Sequence, residues 1–520
     1  MGPLRLHNTL TKKIEEFVPR DSGKAALYVC GPTVYDSSHL GHMRAAIAFD
    51  VLRRYLEWKG FQVMHVQNLT DVDDRIIQRA QNEGVPTDVV TERYIGEYRQ
   101  ALQALNILQP HIEPRASRHI PEMVEMIKAL IERGYAYYAE GDVYFDVTKL
   151  SAYGKLSGRV LEELKAGARV EPGEFKRHPA DFALWKRAKP GEPNWESPWG
   201  RGRPGWHIEC SAMSLKYLGM GFDIHGGGDD LIFPHHENEI AQSEAYTGRE
   251  PFARYWIHNA MVMVRGEKMS KSLHNYFAVM DAMRRYPADV IRYTLASVHY
   301  RKPIEVDEER FVDAARAVDR LRGAVASADA VIARAKSGIG GPASQHLAGA
   351  AQRARETFEA AMDDDLNTAG ALAAIFNLVA ETNRATDEVA KGQSDAAQLQ
   401  PGVATARATL KELAGVIGLV LGEAPVDARV AERVRDLAAA LRREAGPLFT
   451  DHPGQNLDEL VSYILAGRER ARAKKDFSTA DRIRGRLAEA GIVVEDLPTG
   501  PRWRVAAADG LRPPTGGADA

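Results

Sequence analysis

Two pairs of side chains able to carry positive charge stand out in this chain, each with a spacing of three. His39 and His42 bracket Gly41 in the run HLGH, and Lys268 and Lys271 lie in the glycine-led run GEKMSKS, 266–272. Three residues is about one helical turn, so His39 and His42 at a helix start share one side. Gly41 removes a Cβ where a nucleotide ring or phosphate would have to come close. Two donors at a helix amino terminus, whose dipole favours negative charge, can share the charge of a triphosphate. A glycine-led loop can close over phosphates, and its lysines are point charges for the negative charge that builds on departing pyrophosphate. Taken singly, each run has a plainer reading: a strand–helix turn with two solvated histidines, or a solvated basic turn.

The elements that must position these residues can be read around them. An apolar strand, Ala25 to Val29, ends at Cys30; the turn-rich passage Gly31 to Ser38 follows, and a helix opens at about Gly41. Ile47, Val51, Leu52, Tyr55 and Leu56 recur at helical spacing until Gly60, and Phe61 to Gln67 alternates as a strand. Strand, helix, strand implies a parallel pair with a right-handed crossover, and ligands of such sheets bind beyond the carboxyl ends of the strands. Thr70 to Asp74 (TDVDD) reads as the acidic cap of the next helix. Helical patterns cover Thr87 to Leu108 and Pro121 to Arg133, and Tyr135 to Val147 alternates about Glu140-Gly141 as a hairpin. Trp206, His207 and Cys210 lead a helix that Gly219 ends, Phe222 to Ile224 is a strand running into Gly226-Gly227-Gly228, and Pro234 starts a helix holding His235 and Glu239. Tyr255 to Val264 reads as the last core strand.

HLGH after one strand and KMSKS after a later one resemble the paired signatures of class I aminoacyl-tRNA synthetases. The longer runs YVCGPTVYDSSHLGH, RPGWHIECSAM, DIHGGGDDLIFPHHENEIAQS and MVMVRGEKMSKSL resemble the cysteinyl-tRNA synthetase family, over most of residues 3–505. The resemblance implies an α/β fold: a class I Rossmann-type nucleotide-binding catalytic domain with an insertion, then an α-helical bundle and a small C-terminal mixed α/β domain. The expected division is 1–114 and 204–265 for the two catalytic halves, with 115–203 as the connective insertion. Residues 266–315 form the KMSKS loop and stem-contact region, 316–424 the bundle, 425–505 an anticodon-binding domain and 506–520 a disordered tail. The implied catalytic residues are His39, His42, Lys268 and Lys271; His39, Gly41, His42, Gly227 and Lys271 bind ATP, and Gly31, Thr70, Trp206 and Asp230 line the amino-acid pocket.

The chain has two cysteines, Cys30 and Cys210, too far apart for a CxxC motif and too few for a disulfide framework. Buried inert thiols are the ordinary meaning of such a pair. The resemblance instead implies that Cys30, Cys210, His235 and Glu239 hold one Zn²⁺, a donor set of two sulfurs, a nitrogen and an oxygen that suits this ion. Cysteine and serine differ by sulfur for oxygen, and an apolar pocket separates such substrates by only roughly 10- to 200-fold. A site that demands a metal–sulfur bond can reach roughly 10⁴-fold, on the order of 6 kcal/mol, without an editing step. His207 and His236 lie beside the expected ligands and read as packed histidines.

Composition narrows the remainder. The 520 residues are 44% hydrophobic and 27% charged, with a net charge of −3, so a nucleic-acid surface must be a local patch. Patterned sequence begins at Leu4 and no apolar run is long enough to span a membrane, which leads us to expect a cytoplasmic protein with no signal peptide. Trp185, Trp195 and Trp199 cluster in the insertion; helical periodicity runs from Glu308 to Leu421, broken near Ser337 to Ser344 and Lys391 to Gly402, and the AMDDDLNT run reads as a charged helix junction. After a linker at Gly422 to Pro425, Arg468 to Arg486 holds eight Lys/Arg and three acidic residues, 8 − 3 = +5, with Phe477 on the same helix pair and Trp503 expected to be exposed for base stacking. The expected reaction joins L-cysteine to tRNA(Cys) through a cysteinyl-adenylate, using ATP with Mg²⁺, in a monomer. Two rivals share these motifs: a cysteine ligase acting on an amino-sugar in mycothiol-type biosynthesis, which lacks the last domain, and an inactive tRNA-binding paralogue, which intact motifs argue against. Small departures from the family occur: Leu40 for isoleucine, His274 for glycine, and Arg75-Ile76-Ile77-Gln78 for the KIIK that some relatives use with pyridoxal phosphate to make cysteine persulfide, so that side activity is not expected here.

Overall fold

The structure is a computed structural model and describes residues 2–161, 175–264, 266–268, 277–335, 338, 340–422, 428–449, 457–497 and 500–505. It divides into two compact units, the first built from Met1–Asp307, Thr357–Leu372 and Val416–Leu419, the second from Glu308–Glu356, Ala373–Gly415 and the described residues from Val420 onward.

A four-stranded parallel sheet is the centre of the first unit, in the order Ala253–Asn259, Phe222–Gly228, Lys24–Val29, Gln62–Gln67. Its pairings put Val29 beside Gln67 and Gly226, and Asn259 beside Gly228, so the carboxyl ends of all four strands share one edge. The helix Leu40–Trp58 connects the two strands of the first half, capped as a box: His39 accepts from the Gly41 N–H, and the N–H of His39 is taken by His42. The helix is held at its middle by a buried ion pair. Arg292, within the helix Ala288–Ala296, donates to Asp50 and to the carbonyls of Leu105, Asn106 and Ile417. Farther along, Tyr55 donates to Asp363 at 2.7 Å and Lys59 to Glu359 at 2.7 Å.

Between the sheet's halves, Ala136–Ala139, Asp142–Phe145, Phe182–Arg187 and Gly202–Pro204 form an antiparallel sheet. Its first turn is the expected one, with Glu140 and Gly141 both at positive φ (53° and 99°). Trp185 is wholly buried in one core with Phe145, Ile208 and Phe222, so the insertion and the second catalytic half share a core. Trp199 lies 6.1 Å from it, and Trp195 bridges to Gly202.

Three local expectations differ from what is found. The stretch from Tyr255 to Val264 is two strands: Ala253–Asn259 ends the parallel sheet, and Val262–Val264 joins another sheet between Glu267–Lys268 and Ile304–Glu305. Ala260 donates to the Tyr300 carbonyl, which pulls the chain out of the first sheet. Pro234 does not begin an α-helix; Ile232–His236 is a wide turn with Phe233 extended, and the α-helix is Glu237–Thr247. The triple glycine belongs to its strand, where a Cβ on Gly226 would meet the Phe49 ring at 2.2 Å and one on Gly227 would meet Leu231 and His236 at 2.8 and 2.9 Å. These two glycines make room for the chain's own Phe49, Leu231 and His236. The AMDDDLNT junction has Asp365 and Leu366 at positive φ, and Asp365 accepts from the His7 N–H and from Tyr300.

In the second unit, Glu308–Arg334 and Ala396–Val416 are long helices, the latter containing Pro401 within its first two turns. The second expected break is confined to 391–395, and the N–H of Gly402, after Pro401, is taken by the Ser344 hydroxyl at 2.8 Å. Ala428–Glu444, Leu457–Ala473 and Phe477–Glu489 pack with the Ile492–Leu497/Gly500–Val505 hairpin around Val434, Ile464, Ile483 and Ile492. Trp503 is partly buried against this core, which corrects the expectation of an exposed ring; Phe477 is the exposed one, at 59%. Among the described residues no helix is long and apolar enough to cross a membrane. Lys271, His274, Pro425 and the tail 506–520 lie outside the described residues.

Candidate active site and metal centre

Each residue beyond the sheet's carboxyl edge owes its place to a strand or helix end. Cys30 follows the Lys24–Val29 strand and donates its N–H to the Gly226 carbonyl. Cys210 lies on the helix Trp206–Leu218, His235 on the wide turn and Glu239 on the helix after it. Their donor atoms converge: the two sulfurs are 3.6 Å apart, Cys30 Sγ is 3.3 Å from Glu239 Oε1, and His235 Nε2 is 3.0 Å from the same oxygen. All four lie within 4.8 Å of one another. A tetrahedral zinc with ordinary bond lengths separates two sulfurs by about 3.8 Å and a nitrogen from an oxygen by about 3.3 Å. The chain holds its donors at nearly these edges, and the sequence-predicted quartet fits the ion.

The electrostatics also ask for a cation. Cys210, His235 and Glu239 are buried, and the partners of the Glu239 carboxylate among the described residues are imidazoles and a thiol. Burial would push the Glu239 carboxyl up, but the His225 and His235 charges bring it down to about 2. Burial would lower His235, but Glu239 and Cys210 raise it to about 10, so a proton stands where a metal's charge would be. Burial and the Cys210 contact push the Cys30 thiol well up; Cys210 is held at about 6, against burial, by hydrogen bonds from Cys30 and His235.

A second layer fixes these side chains. His207 Nδ1 is 3.0 Å from His235 Nδ1, and for His235 to offer its Nε2 lone pair its proton must sit on Nδ1 and be donated to His207. His225 Nε2 lies 2.8 Å from Glu239 Oε2, and its ring stacks on Trp256 at 4.4 Å. His236 Nε2 lies 3.3 Å from Cys30 Sγ, and its Nδ1 continues to His258 at 2.7 Å and on to Thr9 at 2.8 Å. Cys30, His225, His236 and Glu239 make a second cluster of four donors. Of the two clusters, the quartet with both thiols suits zinc better, because zinc takes thiolates readily, and His225 and His236 stand as hydrogen-bond partners of its side chains.

The remaining predicted residues surround this cluster. The Trp206 ring is 4.3 Å from that of His235. Gly31 donates to Asn68 Oδ1 at 2.9 Å, and a Cβ on it would stand 1.6 Å from the Asn68 carbonyl oxygen. Thr70, buried, accepts from Asn68 and donates to Glu209 at 2.9 Å. Asp230 is exposed in the turn after Gly228. The His39 and His42 rings stack at 3.9 Å; each uses Nδ1 as an acceptor, which leaves the proton of the neutral ring on Nε2. Lys268 pairs with Met263 in its short strand. Asn68, His225 and Glu209 were missed in the sequence. Asn68 follows directly on a strand's carboxyl end, and His225 is an ionisable group in a strand buried almost throughout, so both carried a signal.

A sequence profile described as the tRNA synthetases class I (C) catalytic domain matches residues 16–316, one described as the DALR domain matches 357–422, and the cysteinyl-tRNA ligase anticodon binding domain matches 455–504. A curated cysteine–tRNA ligase of Desulfitobacterium hafniense is 50% identical over 96% of this chain and 99% of its own length; that of Geobacter metallireducens is 48% identical over the same shares. The chain belongs to the cysteine–tRNA ligase family. Among solved structures, methionyl-tRNA synthetase of Mycobacterium tuberculosis with methionyl-adenylate superposes with a TM-score of 0.58 at 18% identity, covering 76% of this chain and 92% of that one. At that identity the likeness speaks for the class I fold alone.

Proposed function

We propose that the chain joins L-cysteine to tRNA(Cys) in two steps, as a cytoplasmic monomer. The cysteine carboxylate attacks the α-phosphate of ATP, bound with Mg²⁺, giving cysteinyl-adenylate and pyrophosphate; a terminal ribose hydroxyl of the tRNA then attacks the activated carbonyl. The observation that carries this reading is the convergence of Cys30, Cys210, His235 and Glu239 beside Trp206 at the sheet's carboxyl edge. A zinc ion held there would supply a soft Lewis acid for the substrate's sulfur.

The chain's own residues do the rest. Nε2–H groups of His39 and His42, with the helix start and Gly41, meet phosphate oxygens, and Gly227, Lys268 and Lys271 complete the ATP contacts as pyrophosphate departs. Gly31, Thr70, Trp206 and Asp230 enclose the amino acid. The insertion, 115–203, is read as lying near the acceptor end of the tRNA, and the region 425–505 as tracking its anticodon with the Arg468 to Arg486 surface. A match to an anticodon-binding domain speaks against the amino-sugar ligase, and the intact donor quartet and HLGH speak against an inactive paralogue. The test is ATP–pyrophosphate exchange with cysteine and with serine, followed by tRNA charging and metal analysis of the same preparation. Exchange with serine near the cysteine rate, or cysteine selection by metal-free protein, would sink the reading.

A further inference from the structure

We propose that Cys30 and Cys210 are also an oxidation site, at which hydrogen peroxide joins them in one intramolecular disulfide and thereby releases the metal and stops amino-acid activation. The pair is already in contact, with sulfurs 3.6 Å apart. A disulfide bond is about 2.05 Å long, so closing the gap asks for about 1.5 Å of side-chain rotation. The two thiols differ in access: Cys30 is partly exposed at a strand end, whereas Cys210 is 1% exposed inside a helix. These are the only cysteines in the sequence, so no other thiol of the chain competes, and the burial of Cys210 disfavours links between molecules.

The order of events follows from that access. In the metal-loaded chain ligation would hold both sulfurs as thiolates, so access sets the order: Cys30 attacks one peroxide oxygen, the O–O bond breaks, hydroxide leaves, and Cys30 becomes a sulfenic acid. Cys210 then attacks the Cys30 sulfur, the S–S bond forms, the S–O bond breaks and a second hydroxide leaves. In sum, two thiols and one peroxide give one disulfide and two waters; the sulfurs lose two electrons and the peroxide oxygens gain them. With the resolving sulfur at contact distance, Cys30 is captured before further oxidation. His235 and Glu239 alone are two donors, fewer than zinc takes in protein sites, so the ion leaves.

The experiment treats the purified, metal-loaded full chain with stepwise hydrogen peroxide. Zinc release is followed with a chromogenic chelator, and intact mass and alkylation are measured under denaturing, non-reducing conditions. The expected result is one zinc released per chain as the mass falls by two hydrogens, loss of alkylation at both cysteines, a Cys30–Cys210 linked peptide, and recovery of exchange activity with dithiothreitol and zinc. In Cys30→Ser, Cys210 should stay alkylatable under the same dose. Sulfinic or sulfonic acid at Cys30 with Cys210 still alkylatable would overturn the inference, as would two alkylatable thiols after methionines have oxidised. Disulfide formation in protein that never bound zinc would sink the metal assignment and with it the metal-release half of the inference, and bound zinc with no disulfide would overturn the inference while leaving the metal assignment standing.

Discussion

Replacing His225 by phenylalanine isolates one hydrogen bond of the proposed metal centre. The ring stacked on Trp256 is retained, while the donor 2.8 Å from Glu239 Oε2 is removed. Both side chains are fully buried, so no water substitutes for the lost donor. An orphaned buried acceptor costs about 1–3 kcal/mol, and more when charged. Without metal, the carboxyl escapes that cost by taking up a proton; metal binding must remove the proton again, so the cost appears as lost metal affinity. At about 1.4 kcal/mol per tenfold, zinc should bind roughly 5- to 150-fold more weakly. Second-layer partners of metal ligands are typically worth about 10- to 100-fold, an independent figure in the same range. Competition against a chelator of known affinity measures it, with unfolding by urea as the control for fold. His225→Gln, whose amide reaches the Nε2 position, should recover most of the loss. An affinity for His225→Phe within twofold of the parent, in a folded protein, would refute the assignment of His225 as the residue that orients Glu239.

Further outcomes are expected elsewhere. His42→Ala should lower the rate of cysteine-dependent ATP–pyrophosphate exchange by roughly 10²- to 10³-fold, the usual effect of losing one donor to developing charge, while leaving bound zinc unchanged. Asp50→Asn keeps an acceptor for the Leu108 N–H but strands the buried Arg292 charge, so urea unfolding should report a loss of about 3–5 kcal/mol. Arg468 donates both its terminal nitrogens to Asp496, at 2.6 and 2.7 Å, and these bonds hold the carboxyl below its ordinary range. A depressed folded value adds stability above the unfolded one, lost as pH falls through the folded value. The gap in thermal stability between the parent and Arg468→Met should therefore be widest near neutrality and close below about pH 4.

Local chemistry was legible in the sequence because its causes are local. His39 and His42 stand one turn apart, and their mutual capping needs only that turn; Glu140-Gly141 takes its positive φ from its own residue types, and Gly219 closes its helix at φ 71°. Strand and helix periods likewise placed the Rossmann-type core, and the resemblance to a family named the four residues proposed here to hold a metal. Where a second contact intervenes, the reading slipped. Tyr300 takes the Ala260 N–H and splits one expected strand into two, and the ring of Trp503 finds a core formed by helices and a hairpin.

Spacing could not determine the metal centre, since Cys30 and Cys210 are 180 residues apart and their sulfurs meet only when strand order brings the Lys24–Val29 and Phe222–Gly228 strands side by side. The orienting shell is further removed still. His207, His225, His236 and Asn68 acquire their partners from the wide turn, the helix after it and the Cys30-Gly31 turn, and no one-dimensional pattern relates them. Residue type decides which donors a chain can offer; only packing decides which of them share a few ångströms, because that depends on how every intervening apolar face is buried.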